Sequence, residues 1–246
     1  SLTQVGKYYA NKVSGQTDPM TAACQRNYTV LATDGYWNGA DVPTDLSGVA
    51  IGNLDGSPEV RPMLDTLNAA GTLADIAQYF YLTDLRTPEL GNCGSGTSLC
   101  TNDSTATTDR GTPGRQNMVT YTPGLGVGGT LRYDPNYASL TTGDFAAIRA
   151  GTKNWPNPMP AENATRVDDL WHAAVNGRGR YFSAQNATEL SSSLESAIGE
   201  LIQTPGSGSA VATSAFQLNS TDSNYVYAGS YISGRWTGEL KAFSIA

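Results

Sequence analysis

Asn27-Tyr28-Thr29-Val30-Leu31-Ala32-Thr33-Asp34-Gly35-Tyr36-Trp37-Asn38-Gly39 carries the strongest fold signal in the chain. Val30, Leu31 and Ala32 form a short apolar run that stops at Thr-Asp-Gly. A buried parallel strand reads this way when it delivers polar side chains to a loop at its carboxyl end. In open α/β sheets ligands bind at that end, so Asp34 stands where a carboxylate can hold a cation or orient a ligand. The competing reading is a plain turn, because Asp tolerates turn geometry and Gly permits positive φ.

Upstream of this strand, Leu2, Val5, Tyr9 and Val13 recur at helical spacing and predict an amphipathic helix over 2–13. Helix, polar connection and buried strand Tyr28–Thr33 make the second half of a right-handed crossover. Downstream, 36–62 loses periodicity and gathers Gly, Asn, Asp and Pro, a long excursion of the kind that usually carries function. Thr72 and Asp75 then stand in capping-box spacing before Leu73, Ile76, Ala77 and Phe80. Residues 87–116 read as polar loop and Met118–Thr122 as a second strand ended by Pro123-Gly124-Leu125-Gly126. A small helix follows at Phe145–Ala150. Asp168 is expected to cap a helix Asp169–Asn176 that ends at Gly177. Tyr181-Phe182 reads as a third strand. Asn186 and Glu189 cap a last helix with Leu190, Leu194, Ile198 and Leu201 on one face. Thr204–Ser209 has linker composition. Beyond it the period changes to two, and 225–243 reads as a hairpin, too little to stand alone in water.

Composition excludes some function classes. The chain carries a net charge of −7 with only 15% charged residues, and it has no basic cluster with which to grip nucleic-acid phosphates. No apolar run approaches the roughly 20 residues of a membrane span. No nucleophile elbow, Walker-type lysine loop or His-rich zinc set is present. Cys93 and Cys100 bracket a Gly/Ser-rich loop that a disulfide could close, in keeping with a secreted composition. Cys24 is left over, either buried or paired with chain outside this one. His172, the single histidine, lies between apolar neighbours and reads as a hydrogen-bonded structural residue.

The order of elements resembles the later half of a von Willebrand factor A-type domain. Met118–Gly126 matches that family's penultimate strand, and Tyr181-Phe182-Ser183-Ala184 with Thr188-Glu189-Leu190 its closing strand and helix. A narrower resemblance is to the PilY family of type IV pilus-tip and biogenesis proteins. It is carried in order by Cys24–Gly39, Thr72–Arg86, Asp168–Gly179 and Trp236–Lys241. The resemblance implies a partial A-type α/β domain over 1–203, a linker over 204–212, and the start of a β-propeller over 213–246. It also implies a bacterial surface or pilus-tip location, pilus subunits and a surface or host ligand as partners, and no enzymatic activity.

A-type domains commonly hold Mg²⁺ or Ca²⁺ with an Asp-x-Ser-x-Ser loop, a Thr and an Asp of a Thr-Asp-Gly-like loop. Only the last is carried over, as Asp34. The other elements would precede Ser1, so Asp34 is expected to bind a divalent cation only when completed from upstream. Asp41, Asp45, Asn53 and Asp55 are a second set of candidate oxygen ligands. Their EF-hand likeness fails at Ile51 and Pro62, which leaves a solvated loop as the simpler reading. Tyr36, Trp37, Tyr133 and Trp155 would suit a contact surface if exposed. Three functions compete: attachment and assembly through the strand-end loops, a structural spacer, and a hydrolase using a carboxylate pair.

Overall fold

The computed structural model describes residues 1–23, 25–38, 41–94, 99–100, 115–160, 163–184, 187–203, 211–213, 224–232 and 237–245. Elements follow in the order α1 (Leu2–Tyr9), β1 (Asn27–Val30), α2 (Leu73–Leu82), β2 (Met118–Leu125), α3 (Asp144–Ala150), α4 (Thr165–Asn176), β3 (Arg178–Ala184) and α5 (Ala187–Gln203). The strands β4 (Val211–Thr213), β5 (Asn224–Ile232) and β6 (Thr237–Ile245) come last. β1, β2 and β3 form a parallel sheet in that order, and β4, β5 and β6 an antiparallel one. The mixed α/β class is as expected. Cys24, the Asn186 cap, the 204–209 linker and the Ser233-Gly234 turn expected between the two strands of the hairpin lie outside the described residues.

Several boundaries move, each for a local reason. α1 stops at Tyr9 rather than residue 13, because Asn11 takes a left-handed φ of 51°, a conformation Asn tolerates. β1 stops at Val30 rather than Thr33, and the cause lies on its neighbour. Leu31 N donates to Tyr121 O at 2.8 Å. The return bond to Leu31 O would need an N–H on residue 123, and proline has none. Pairing resumes where Thr33 N donates to Pro123 O (3.2 Å) and Leu125 N to Thr33 O (2.8 Å). Nor is β1 buried on both faces: Val30 is 51% exposed, on a strand that among the described residues pairs on one side only. β2 itself continues through Pro123-Gly124 to Leu125.

α4 begins at Thr165, so Asp168 sits inside its first turn instead of capping it. Gly177 closes α4 without a left-handed φ. Arg178 takes that conformation, at 56°. Glycine at 177 answers to close packing instead, since a Cβ there would lie 2.6 Å from Thr120 Cβ.

The capping box on α2 forms as read: Thr72 Oγ1 accepts from Asp75 N, and the Asp75 carboxylate accepts from Thr72 N. α2 packs against α1 on one side and α4 on another, which buries Ala74–Gln78, Phe80 and Tyr81 almost all round. A second cluster gathers Phe145, Trp155, Trp171 and Tyr181 between α3, α4 and β3. On α5, Leu190 and Leu194 are half-buried and Ile198 is exposed; the side chain of Leu201 lies outside the described residues. Cys93 and Cys100 are joined by a disulfide. Among the described residues no helix is long and apolar enough to cross a membrane.

Candidate functional site

The carboxyl rim of the parallel sheet positions the residues singled out above. β1 leaves the sheet after Thr33, whose hydroxyl donates to Gly35 O (2.9 Å) and accepts from Gly35 N (3.2 Å). This Ser/Thr-type turn presents Asp34, which is exposed. Beside the rim lies a groove of about 630 Å³, lined among others by Lys7, Trp37, Asn38, Asp41, Thr44 and Leu73. That volume falls in the range of ligand clefts. Arg166 fixes one wall: its guanidinium lies 4.3 Å over the Trp37 ring, and Nη1 donates to Trp37 O. The aromatic contact surface is therefore smaller than expected. Tyr36 is exposed, Trp37 and Tyr133 are half-buried, and Trp155 is buried with its indole N–H on Pro62 O (2.7 Å).

The second set of oxygen ligands does not converge. Asp41 lines the groove. Asp45 folds back on its own turn, accepting from Ser47 N, Ser47 Oγ and Val49 N, each at 2.8 Å. Partial desolvation raises the Asp45 carboxyl, but these hydrogen bonds outweigh it and hold the group below the ordinary carboxylate range. Asn53 donates to Asn68 Oδ1, while Asp55 is 1% exposed and takes a bond from Asn176 Nδ2 (2.8 Å). Among the described residues no three His, Cys, Asp or Glu side chains are placed to hold a metal. Asp34 alone does not make the six or more oxygens that a hard cation requires.

The structure instead brings together carboxylates that sequence reasoning read separately. Asp169 of α4 reaches across to the first turn of α2 and accepts from Leu73 N (3.0 Å) and Ala74 N (3.3 Å). With Thr72 Oγ1 on Asp75 N, the amides of the first three residues of α2 are all satisfied, two of them by another helix. Asp75 also accepts from Leu54 N (2.7 Å), and Asp65 from Leu67 N (2.7 Å) and Ala69 N (3.2 Å). Burial, then the neighbouring Asp75, Asp65 and Asp169, pushes Asp55 up to about 9. Burial raises Asp169 to about 7. His172 is uncharged here: burial lowers it to about 3, its Nε2 contacts Met63 O (2.7 Å), and its ring stacks on Trp155. The one hint in the sequence was the pair Asp168-Asp169 set within an apolar stripe.

No protein-family model matches the chain, and no solved structure does. Against curated proteins, the chain is 31% identical over 271 aligned residues to the type IV pilus biogenesis factor PilY1 of Pseudomonas aeruginosa strain UCBPP-PA14. The same factor from strain PAK is 29% identical over 261 residues. The first match takes in 100% of this chain and 22% of the relative. The chain resembles one segment of PilY1. It spans about a fifth of the length of the relatives it matches, 22% in each case.

In this PilY1-like chain the carboxylates of α2 and α4 act as fasteners between helices, not as an open acid–base pair. Asp55, Asp75 and Asp169 are at most 2% exposed, and none of them lines the groove. Replacing Asp169 by Ala strips two backbone amides, one buried and one half-buried, of their acceptor and is expected to cost about 2 kcal/mol. Chemical denaturation followed by circular dichroism measures this, and a loss below about 0.5 kcal/mol would show that the cross-helix cap carries little.

Proposed function

We propose that this segment is the later part of a von Willebrand factor A-like domain leading into the first strands of a β-propeller. Its role is in type IV pilus biogenesis and in surface attachment at the bacterial cell surface. The observation that supports the reading is a parallel sheet whose first strand runs on from Val30 through a bridge at Thr33 into Asp34-Gly35, with Asp34 exposed at the carboxyl rim. The names of the relatives supply the pilus context. On this reading pilus subunits and a surface or host ligand are the partners, and attachment uses the rim loops. A divalent cation, Mg²⁺ or Ca²⁺, is held jointly by Asp34 and residues upstream of this chain. Asp34 supplies one hard anionic oxygen, and the ligand's own carboxylate completes the shell.

The test is Asp34→Ala in the full-length protein. Cation affinity, measured by calorimetry with Mg²⁺ and Ca²⁺, is expected to fall at least about tenfold, as loss of a charged ligand requires. Attachment of cells carrying the variant should fall while pilus number is retained. Unchanged cation binding would remove the metal from the reading, and unchanged attachment would leave a structural spacer. The tight seating of Trp37 under Arg166 and of Trp155 in the core favours that second reading over broad aromatic contact. A hydrolase has less support, since the carboxylates with raised pKa are sealed from the groove.

A further inference from the structure

Loop 53–69 leaves the rim groove and returns to it. Ile51 and Gly52 at one end, and Ala70 and Gly71 at the other, line the groove, and Gly71 N donates to Gly52 O (3.4 Å) across the neck. Between these ends the loop is stitched down chiefly by acids. Leu54 N and Asp55 N reach Asp75 Oδ1 (2.7 and 3.4 Å). Asp65 N reaches Asp55 O (2.8 Å). Asp55 Oδ2 takes Asn176 Nδ2, and the Glu59 carboxylate takes Gln78 Nε2.

The charge around Asp55 is one-sided. Asp65 faces it from the loop, Asp75 from α2 and Asp169 from α4. His172 Nε2 lies 3.5 Å away on α4, but that imidazole is neutral. The guanidinium of Arg178 on β3 is committed to Asn176 O (2.6 Å) and Gln78 Oε1 (3.4 Å), and Arg61 on the loop acts on His172. Among the described residues, Asp55 Oδ1 is buried with no hydrogen-bond partner. A buried carboxylate without a counter-cation is strongly disfavoured, and the usual relief is to stay protonated.

We propose that loop 53–69 is a proton-operated strap beside the rim groove, closed while the Asp55 carboxyl is uncharged and released as that carboxyl ionises. The raised pKa of the closed form supports this and sets its range. Asp55 is protonated up to about pH 9 when buried, whereas its ordinary value is 3.8. Once the strap opens, the group ionises above about pH 4. The closed form therefore binds a proton that the open form lacks over that window, and closure weakens as pH rises through it. Opening gains about tenfold per pH unit across that window. This inference does not depend on the metal or the pilus reading.

The experiment is amide hydrogen exchange on the full chain at about pH 5 to 8, corrected for intrinsic rates. It follows the Leu54, Asp65 and Gly71 amides in wild type and Asp55→Asn, with α4 amides as reference. Wild-type protection of the three amides should fall about tenfold per pH unit. In the isosteric Asp55→Asn protein most of that slope should vanish. PH-independent protection in wild type would overturn the strap, and so would an Asp55→Asn protein that keeps the slope. A wild-type slope abolished by millimolar Ca²⁺ would also overturn it, by making a cation rather than a proton the missing counter-charge. If Asp55→Asn fails to fold, the wild-type slope decides alone.

Discussion

Replacing Trp171 by Ala is expected to destabilise the chain by about 3–5 kcal/mol, the cost of emptying a large aromatic site in a rigid core. Trp171 is 1% exposed and stands at the centre of the ring cluster. It stacks on Tyr181 and Phe145 (centroids 5.7 Å in each case) and meets Tyr133, Tyr137 and Trp155 edge-on. Those five rings come from β3, α3 and the loops around α3, so no single shift fills the space. Its indole N–H has no partner among the described residues, so no hydrogen bond is lost and the whole effect is packing. Trp171→Phe should recover about half of the loss. Urea unfolding followed by circular dichroism measures both. A cost under about 1 kcal/mol for Ala would mean the cluster relaxes, contrary to the tight packing of cores.

A comparable loss, at least about 3 kcal/mol or failure to fold, is expected for Gly179→Ala. An added Cβ on Gly179 would lie 2.1 Å from Thr120 O and 2.6 Å from Thr120 C. These are backbone atoms of the central strand, which cannot rotate aside as a side chain could. Relief requires β3 to move off β2, at the point where the register already shifts between Thr120 and Thr122. Gly128→Ala is the control: nothing lies within 4 Å of its Cβ position, and its effect should stay within about 0.5 kcal/mol. Thermal midpoints and soluble yield compare the two. Equal behaviour of the two variants would show that the β2–β3 spacing is softer than drawn.

Fold class was legible because its signals are local. Thr72 and Asp75 are three residues apart, and the apolar spacing along α2 needs no knowledge of what it packs against. The run into Thr33-Asp34-Gly35 marked the rim for the same reason. Strand ends were less legible, because pairing belongs to two strands: the end of β1 is written on Pro123, some ninety residues away. Asp168 and Gly177 were assigned their usual local roles, whereas the structure uses one to bind Thr130 and Leu131 and the other to admit Thr120.

Proximity in space explains the remaining differences at the site. Asp41, Asp45, Asn53 and Asp55 are neighbours along the chain, yet one lines a groove, one closes its own turn, one meets Asn68 and one is buried on Asn176. Asp55, Asp75 and Asp169 are far apart in the chain and meet at a single junction. An α/β chain with a Thr-Asp-Gly strand exit and a capped helix after it could be read from residue order, because periodicity and capping act over three or four residues. Which carboxylates are sealed together and which one faces solvent followed from packing alone. Burial and Coulomb interaction depend on distance through space, and that distance is set when α2, α4 and the loop between β1 and α2 pack.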